Sequence, residues 1–161
     1  MSKLTFAIQM EIDAEQYYLS QAENNKENSL HRAFMLLAEA ERKHADLLKN
    51  RYSVADSAID IDFPTDEPAN LFSDKADYRR DAVAVPGQLE VYIFAREMEQ
   101  KSIDLYREMR ADIKDESTQQ LIEFLIKQEQ DHYAFFDELV TLLTRPRDWV
   151  EDAEFGSRKE Y

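Results

Sequence analysis

Cysteine is absent from the 161 residues. The chain can therefore form no disulfide, ligate no zinc through thiolates and carry no iron–sulfur or rubredoxin-type centre. Glycine occurs twice and proline four times, too few punctuating residues for a fold rich in tight turns, so helices are expected to dominate. Cations are scarce: 20 lysines and arginines stand against 34 acids, a net charge of −14 with an isoelectric point near 4.6. That balance speaks against nucleic acid and anionic membranes as partners and suits the attraction of cations, although ordinary surface solvation would account for it equally. No apolar run approaches the ~20 residues that span a bilayer, and the N-terminus has no basic segment followed by an apolar one. The cytoplasm is the expected location. The length fits one domain with one core.

What is present is a repeat. Glu41-Arg42-Lys43-His44 returns as Glu129-Gln130-Asp131-His132, 88 residues on. The same offset carries Phe6-Ala7 onto Phe94-Ala95, Met10-Glu11 onto Met98-Glu99 and Tyr18 onto Tyr106. A Glu and a His three apart on a helix lie about 60° from each other and one turn apart, so each pair can offer one metal ion an oxygen and a nitrogen. About one residue in nine is glutamate, which makes a single Glu-x-x-His a common accident. Two at a shared offset, each preceded by a matching lone Glu, are not. His31 has no Glu three before it and repeats as Gln119; it reads as a solvated surface residue.

The first helix is expected from Ser2 or Thr5, both able to cap it, to about Asn24. Its stripe is Leu4, Ile8, Glu11, Glu15, Tyr18 and Ala22, apolar except at two carboxylates that must be neutralised, paired or bound to metal if buried. After the polar break at Asn24–Asn28, a second helix runs to about Asn50 with Leu30, Phe34, Leu37, Glu41, His44 and Leu48 inward. A third, about Gln88–Ala111, presents Leu89, Tyr92, Ala95, Glu99, Ser102, Tyr106 and Met109. A fourth, about Ser117–Thr144, presents Leu121, Phe124, Leu125, Gln128, Glu129, His132, Phe136, Leu139 and Leu143, and Pro146 is expected to end it. The midpoint between Glu11 and Glu41 is residue 26, and that between Glu99 and Glu129 is residue 114. Both fall in polar breaks, so two antiparallel hairpins would set their carboxylates level.

Residues 51–87 are too long for a plain turn and suit a crossover along the bundle, with a short helix near Asn70–Arg80. The domain is expected to span residues 1–145. Residues 146–161, with Trp149, Val150 and Phe155 among charges, form a tail expected to fold back on the bundle as a short amphipathic turn; docking a partner is the weaker alternative.

Four carboxylates and two imidazoles suit a pair of iron or manganese ions, which take oxygen and nitrogen ligands. The set, one Glu from each of two helices and Glu-x-x-His from each of the other two, is that of ferritin-like dimetal proteins. Through both hairpins the chain resembles the rubrerythrin branch of the ferritin-like superfamily. The resemblance implies an all-α, antiparallel four-helix bundle with a long crossover between its second and third helices. It implies that Glu41 and Glu129 bridge two metals, with Glu11 and His44 serving one ion and Glu99 and His132 the other. Tyr18 and Tyr106 look like hydrogen-bond donors to these carboxylates, a role compatible with plain core packing. Ala14 and Ser102 are small and would leave room for an oxidant.

Two departures stand out. Rubrerythrins carry a further carboxylate where this chain has Ser102, and commonly a cysteine-ligated rubredoxin domain that is lacking here. Glu15, which repeats as Ile103, is either a replacement ligand or, as expected, a residue beside the site or at its edge. The implied function is oxidation of Fe(II) by hydrogen peroxide or oxygen at a two-iron centre, with manganese or zinc as substitute metals, a separate electron donor, and a role in oxidative stress. Storage or delivery of metal without turnover is the alternative. A homodimer is the expected assembly.

Overall fold

A computed structural model describes residues 2–53, 75–85 and 87–156, with 52, 53, 75 and 146–156 as backbone only. Among these residues the chain is helical throughout, without strands, as α1 (Lys3–Asn24), α2 (Leu30–Ser53), α3 (Lys75–Ala84), α4 (Leu89–Asp112) and α5 (Glu116–Gly156). None of these helices is long and apolar enough to cross a membrane.

Local chemistry fixes where each hairpin turns. Ser2 caps α1, its hydroxyl accepting from Thr5 N–H at 3.1 Å. At the other end the Asn25 N–H donates to the Ala22 carbonyl, which His31 Nδ1 also approaches at 2.7 Å. His31 is thus half-buried across the turn and not simply solvated; a ring at the start of α2 lies within reach of the unpaired carbonyls that every helix C-terminus leaves. Asn25, buried, exchanges two amide hydrogen bonds with Gln88 at the entry of α4. In the second hairpin Asp115 accepts from Thr118 N–H at 3.0 Å and caps α5. Arg51 reaches from the last turn of α2 to Thr118 Oγ1 at 2.8 Å and to Asp115. Each turn is therefore tied to the opposite hairpin.

α1 packs along α2, and α4 along α5; α1 faces α4, while α3 lies across α2 and α5. The expected inward rows on α2, α4 and α5 are buried except Leu89, Phe124, Gln128 and Leu143, which are half-buried. On α1 the buried row is Ala7, Glu11, Ala14, Tyr18 and Ala22. Leu4, Ile8 and Glu15 flank it, because at 3.6 residues per turn position 14, not 15, continues the row through Glu11 and Tyr18.

The core divides in two. One apolar cluster gathers around Phe136, whose ring stacks on Tyr18 at 5.7 Å between centroids and meets Phe34, Tyr92 and Phe135. The other holds Ala7, Leu48, Tyr106, Met109, Leu121, Ile122 and Leu125.

Two expectations change. α5 does not end at Pro146 but runs on to Gly156. Proline removes one donor and crowds the carbonyl four residues before it, yet its fixed φ is itself helical, and the flanking turns carry the helix through. The short amphipathic turn expected after residue 146 is therefore helix as far as Gly156, and the side chains of Trp149, Val150 and Phe155 lie outside the described residues. The crossover helix expected near Asn70–Arg80 is helical over Lys75–Ala84, running past the expected end; residues 70–74 lie outside the described residues. Gly87, at φ 115°, makes the left-handed turn into α4 that an L side chain would strain.

Phe136 touches four aromatic rings from the middle of α5, so Phe136→Ala is expected to destabilise the bundle by ~3–5 kcal/mol. Phe94, 52% exposed, should cost less than ~1 kcal/mol when replaced by Ala. Urea unfolding followed by circular dichroism measures both.

Candidate metal centre

Between the two apolar clusters lies a polar layer. Glu11 on α1, Glu41 and His44 on α2, Glu99 on α4, and Glu129 and His132 on α5 are each at most 2% exposed. They form two groups whose ligand atoms lie within 4.8 Å of one another: Glu11, Glu41, His44 and Glu129, and Glu41, Glu99, Glu129 and His132. Glu41 and Glu129 belong to both. The level turns of the two hairpins produce this, since each helix delivers its carboxylate at the same height.

The imidazoles cross between hairpins. His44 Nδ1 lies 2.8 Å from Glu129 Oε1, and 3.4 and 3.5 Å from Glu41 and Glu11. His132 Nδ1 lies 2.9 Å from Glu41 Oε1, and 3.5 and 3.7 Å from Glu99 and Glu129. The two rings stand 5.9 Å apart, nearly parallel. The tyrosines cross too: Tyr18 on α1 donates to Glu99 on α4, and Tyr106 on α4 donates to Glu11 on α1. Each hydroxyl thus holds the lone carboxylate of the other half.

Burial disfavours charge on all six groups, and the neighbours decide the outcome. Burial raises Glu41, aided by the Glu11 and Glu99 charges, to about 8. Burial and the Glu129 charge raise Glu99 to about 8 against the pull of His132. Glu129 is raised by burial and by Glu11 and Glu41. Glu11 alone is lowered, to about 2: burial pushes it up, but hydrogen bonds from Glu41, His44 and Tyr106 and the His44 charge prevail. Burial would lower both histidines, yet the facing carboxylates, chiefly Glu11 for His44 and Glu99 for His132, hold them well above 6.5. Burial, then the adjacent carboxylate charge, raises Tyr18 and Tyr106, which stay protonated as donors. Without a cation, then, the layer is held together by protons.

Protons do not satisfy it fully. Glu11 Oε2, Glu99 Oε2 and Glu129 Oε2 are buried and have no hydrogen-bond partner. A buried carboxylate oxygen left unpaired is costly, and oxygen and nitrogen donors gathered in this way suit a divalent metal site.

All six residues of the repeat thus come together, and both tyrosines join them. Glu15 does not: it is half-buried and outside both groups. Ala14 and Ser102 line the same inward rows, and the Ser102 hydroxyl turns back to the Met98 carbonyl at 3.3 Å. One neighbour carried no role in the sequence beyond facing inward. Gln128 Oε1 lies 2.9 Å from His44 Nε2.

Stability of the metal-free chain should fall as pH rises from 5 to 8. Glu41 and Glu99 keep their protons to about 8 when folded and release them near 4.5 when unfolded. Between those values the folded state binds more protons, so raising pH favours unfolding. The raised histidines act in the same direction above 6.5, whereas Glu11 contributes stability lost only as pH drops from 4.5 toward 2. Melting of chelator-treated protein across this range checks the sign; a melting temperature that climbs from pH 5 to 8 contradicts it.

The rubrerythrin family profile matches residues 3–140, which include every residue of both groups. No curated protein matches the chain. A solved structure of a hypothetical protein from Pyrococcus furiosus is similar in fold, with a TM-score of 0.63 over 88% of each chain at 24% identity.

Proposed function

This chain belongs to the rubrerythrin family, and on that footing we propose that it is a non-haem di-iron protein that oxidises Fe(II) with hydrogen peroxide or oxygen. The observation that carries the reading is the set of three buried, partnerless carboxylate oxygens beside two buried imidazoles. In this reading Glu41 and Glu129, common to both groups, would be shared by the two metals; Glu11 and His44 would complete one position, Glu99 and His132 the other. Two irons so held would supply the two electrons that take peroxide to water.

The protein's part is geometric and electrostatic. Four carboxylates and two neutral imidazoles balance the charge of two divalent ions in a layer closed above and below by apolar side chains. Tyr18 and Tyr106 orient Glu99 and Glu11, engaging one oxygen of each and leaving the other without a hydrogen-bond partner. Ala14 and Ser102 keep the inward rows of α1 and α4 free of bulk. Electrons would enter from outside this bundle, which has no cysteine for a rubredoxin-type centre.

Stopped-flow absorption of protein loaded with Fe(II) under argon and mixed with peroxide, or with oxygen, tests the activity. Ferric absorption should grow within the mixing experiment in wild type and be lost in Glu41→Ala and Glu129→Ala. His44→Ala and His132→Ala should each keep part of the iron, and His31→Ala all of it. Iron that stays bound and ferrous against both oxidants would instead support storage or delivery.

A further inference from the structure

The repeat that builds the centre breaks where Gln128 meets it. His44 is engaged at both ring nitrogens, Nδ1 by Glu129 and Nε2 by the side-chain carbonyl oxygen of Gln128 at 2.9 Å. That oxygen can only accept, so His44 carries a proton on Nε2 and turns Nδ1 toward Glu11, Glu41 and Glu129. His132 also presents Nδ1 to the carboxylates, 2.9 Å from Glu41. Among the described residues, however, its Nε2 has no hydrogen-bond partner. The position equivalent to Gln128, 88 residues earlier and directly before Glu41, is Ala40, a buried methyl group that accepts nothing.

We propose that Gln128 is a positioning residue that fixes the His44 ring and makes the two metal positions unequal, the one served by His44 and Glu11 binding more tightly. The proposal rests on the reading of the centre as a metal site and refines it. An imidazole whose remote N–H is held by an acceptor has its tautomer and orientation set before the ion arrives, and is a more basic ligand. His132 has to settle both when it binds. Loss of such an outer partner typically lowers metal affinity about 10–100-fold. Gln128 is half-buried at the edge of the layer, so replacing it leaves both apolar clusters intact.

Calorimetric titration of metal-free protein with zinc(II), which needs no oxidant control, tests this. Wild type should bind in two separated steps. Gln128→Leu should weaken the tighter step about tenfold or more and leave the weaker one in place. Gln128→Glu, which keeps an acceptor oxygen, should retain the tighter step. Imidazole 15N–1H spectra of the zinc-loaded protein supply a readout that a merely structural role would not move. A His44 Nε2 proton slow to exchange should appear in wild type and vanish in Gln128→Leu, with His132 unchanged. Two zinc ions bound with the same constants in wild type and Gln128→Leu overturn the proposal while leaving the metal centre standing, as does a Glu variant as weak as the Leu one. A wild-type protein that takes up no zinc overturns the metal reading itself.

Discussion

Four carboxylates and two imidazoles share one buried layer, and the rest of the bundle is arranged around the expense of keeping them there. Ionised carboxylates out of water and close together repel, and an apolar layer of equal volume would be easier to fold. The structure answers with protons: Glu41 and Glu99 are pushed up to about 8 by burial and by neighbouring charge, and the histidines face them as cations. Three oxygens are still left over. A layer so unfavourable when empty, yet enclosed on both sides by well-packed aromatic and aliphatic clusters, makes physical sense as a receptacle for cations.

Height and direction of the six buried polar side chains follow from the hairpins. The turns at residues 25–29 and 113–115 sit midway between the paired glutamates, and cross-ties such as Asn25–Gln88 and Arg51–Thr118 hold one hairpin against the other. Each hairpin alone would present half a site. Docking them crosses the partners, so that His44 meets Glu129, His132 meets Glu41, and each tyrosine holds the opposite lone Glu. The centre is therefore a property of the assembled pair, and loosening either hairpin disturbs both groups.

The helices, the inward rows and all six residues of the buried polar layer were legible in the sequence, because helical spacing and the 88-residue offset are local and arithmetic. The rubrerythrin resemblance points to the same set, and the family match shows the family. Pairings across the bundle were not legible. Nothing in the spacing of Tyr18 shows that it serves Glu99 and not Glu11, since that depends on how α1 and α4 dock antiparallel. Glu15 was misplaced by a single position on a wheel where adjacent residues differ by 100°. Pro146 carries a stop signal in sequence, yet one missing donor does not end a helix already propagating. His31 lacks the Glu-x-x-His context that marks the other two histidines, and its partner is a backbone carbonyl that carries no sequence signature.

Anomalous diffraction at the iron edge, from crystals of this chain grown with Fe(II) under argon, addresses the central claim most directly. The account predicts two peaks in the buried layer. One should lie among Glu11, Glu41, His44 and Glu129 and the other among Glu41, Glu99, Glu129 and His132, with Glu41 and Glu129 adjoining both. A single peak, or iron found only among surface acids with the layer still holding its own protons, would contradict it.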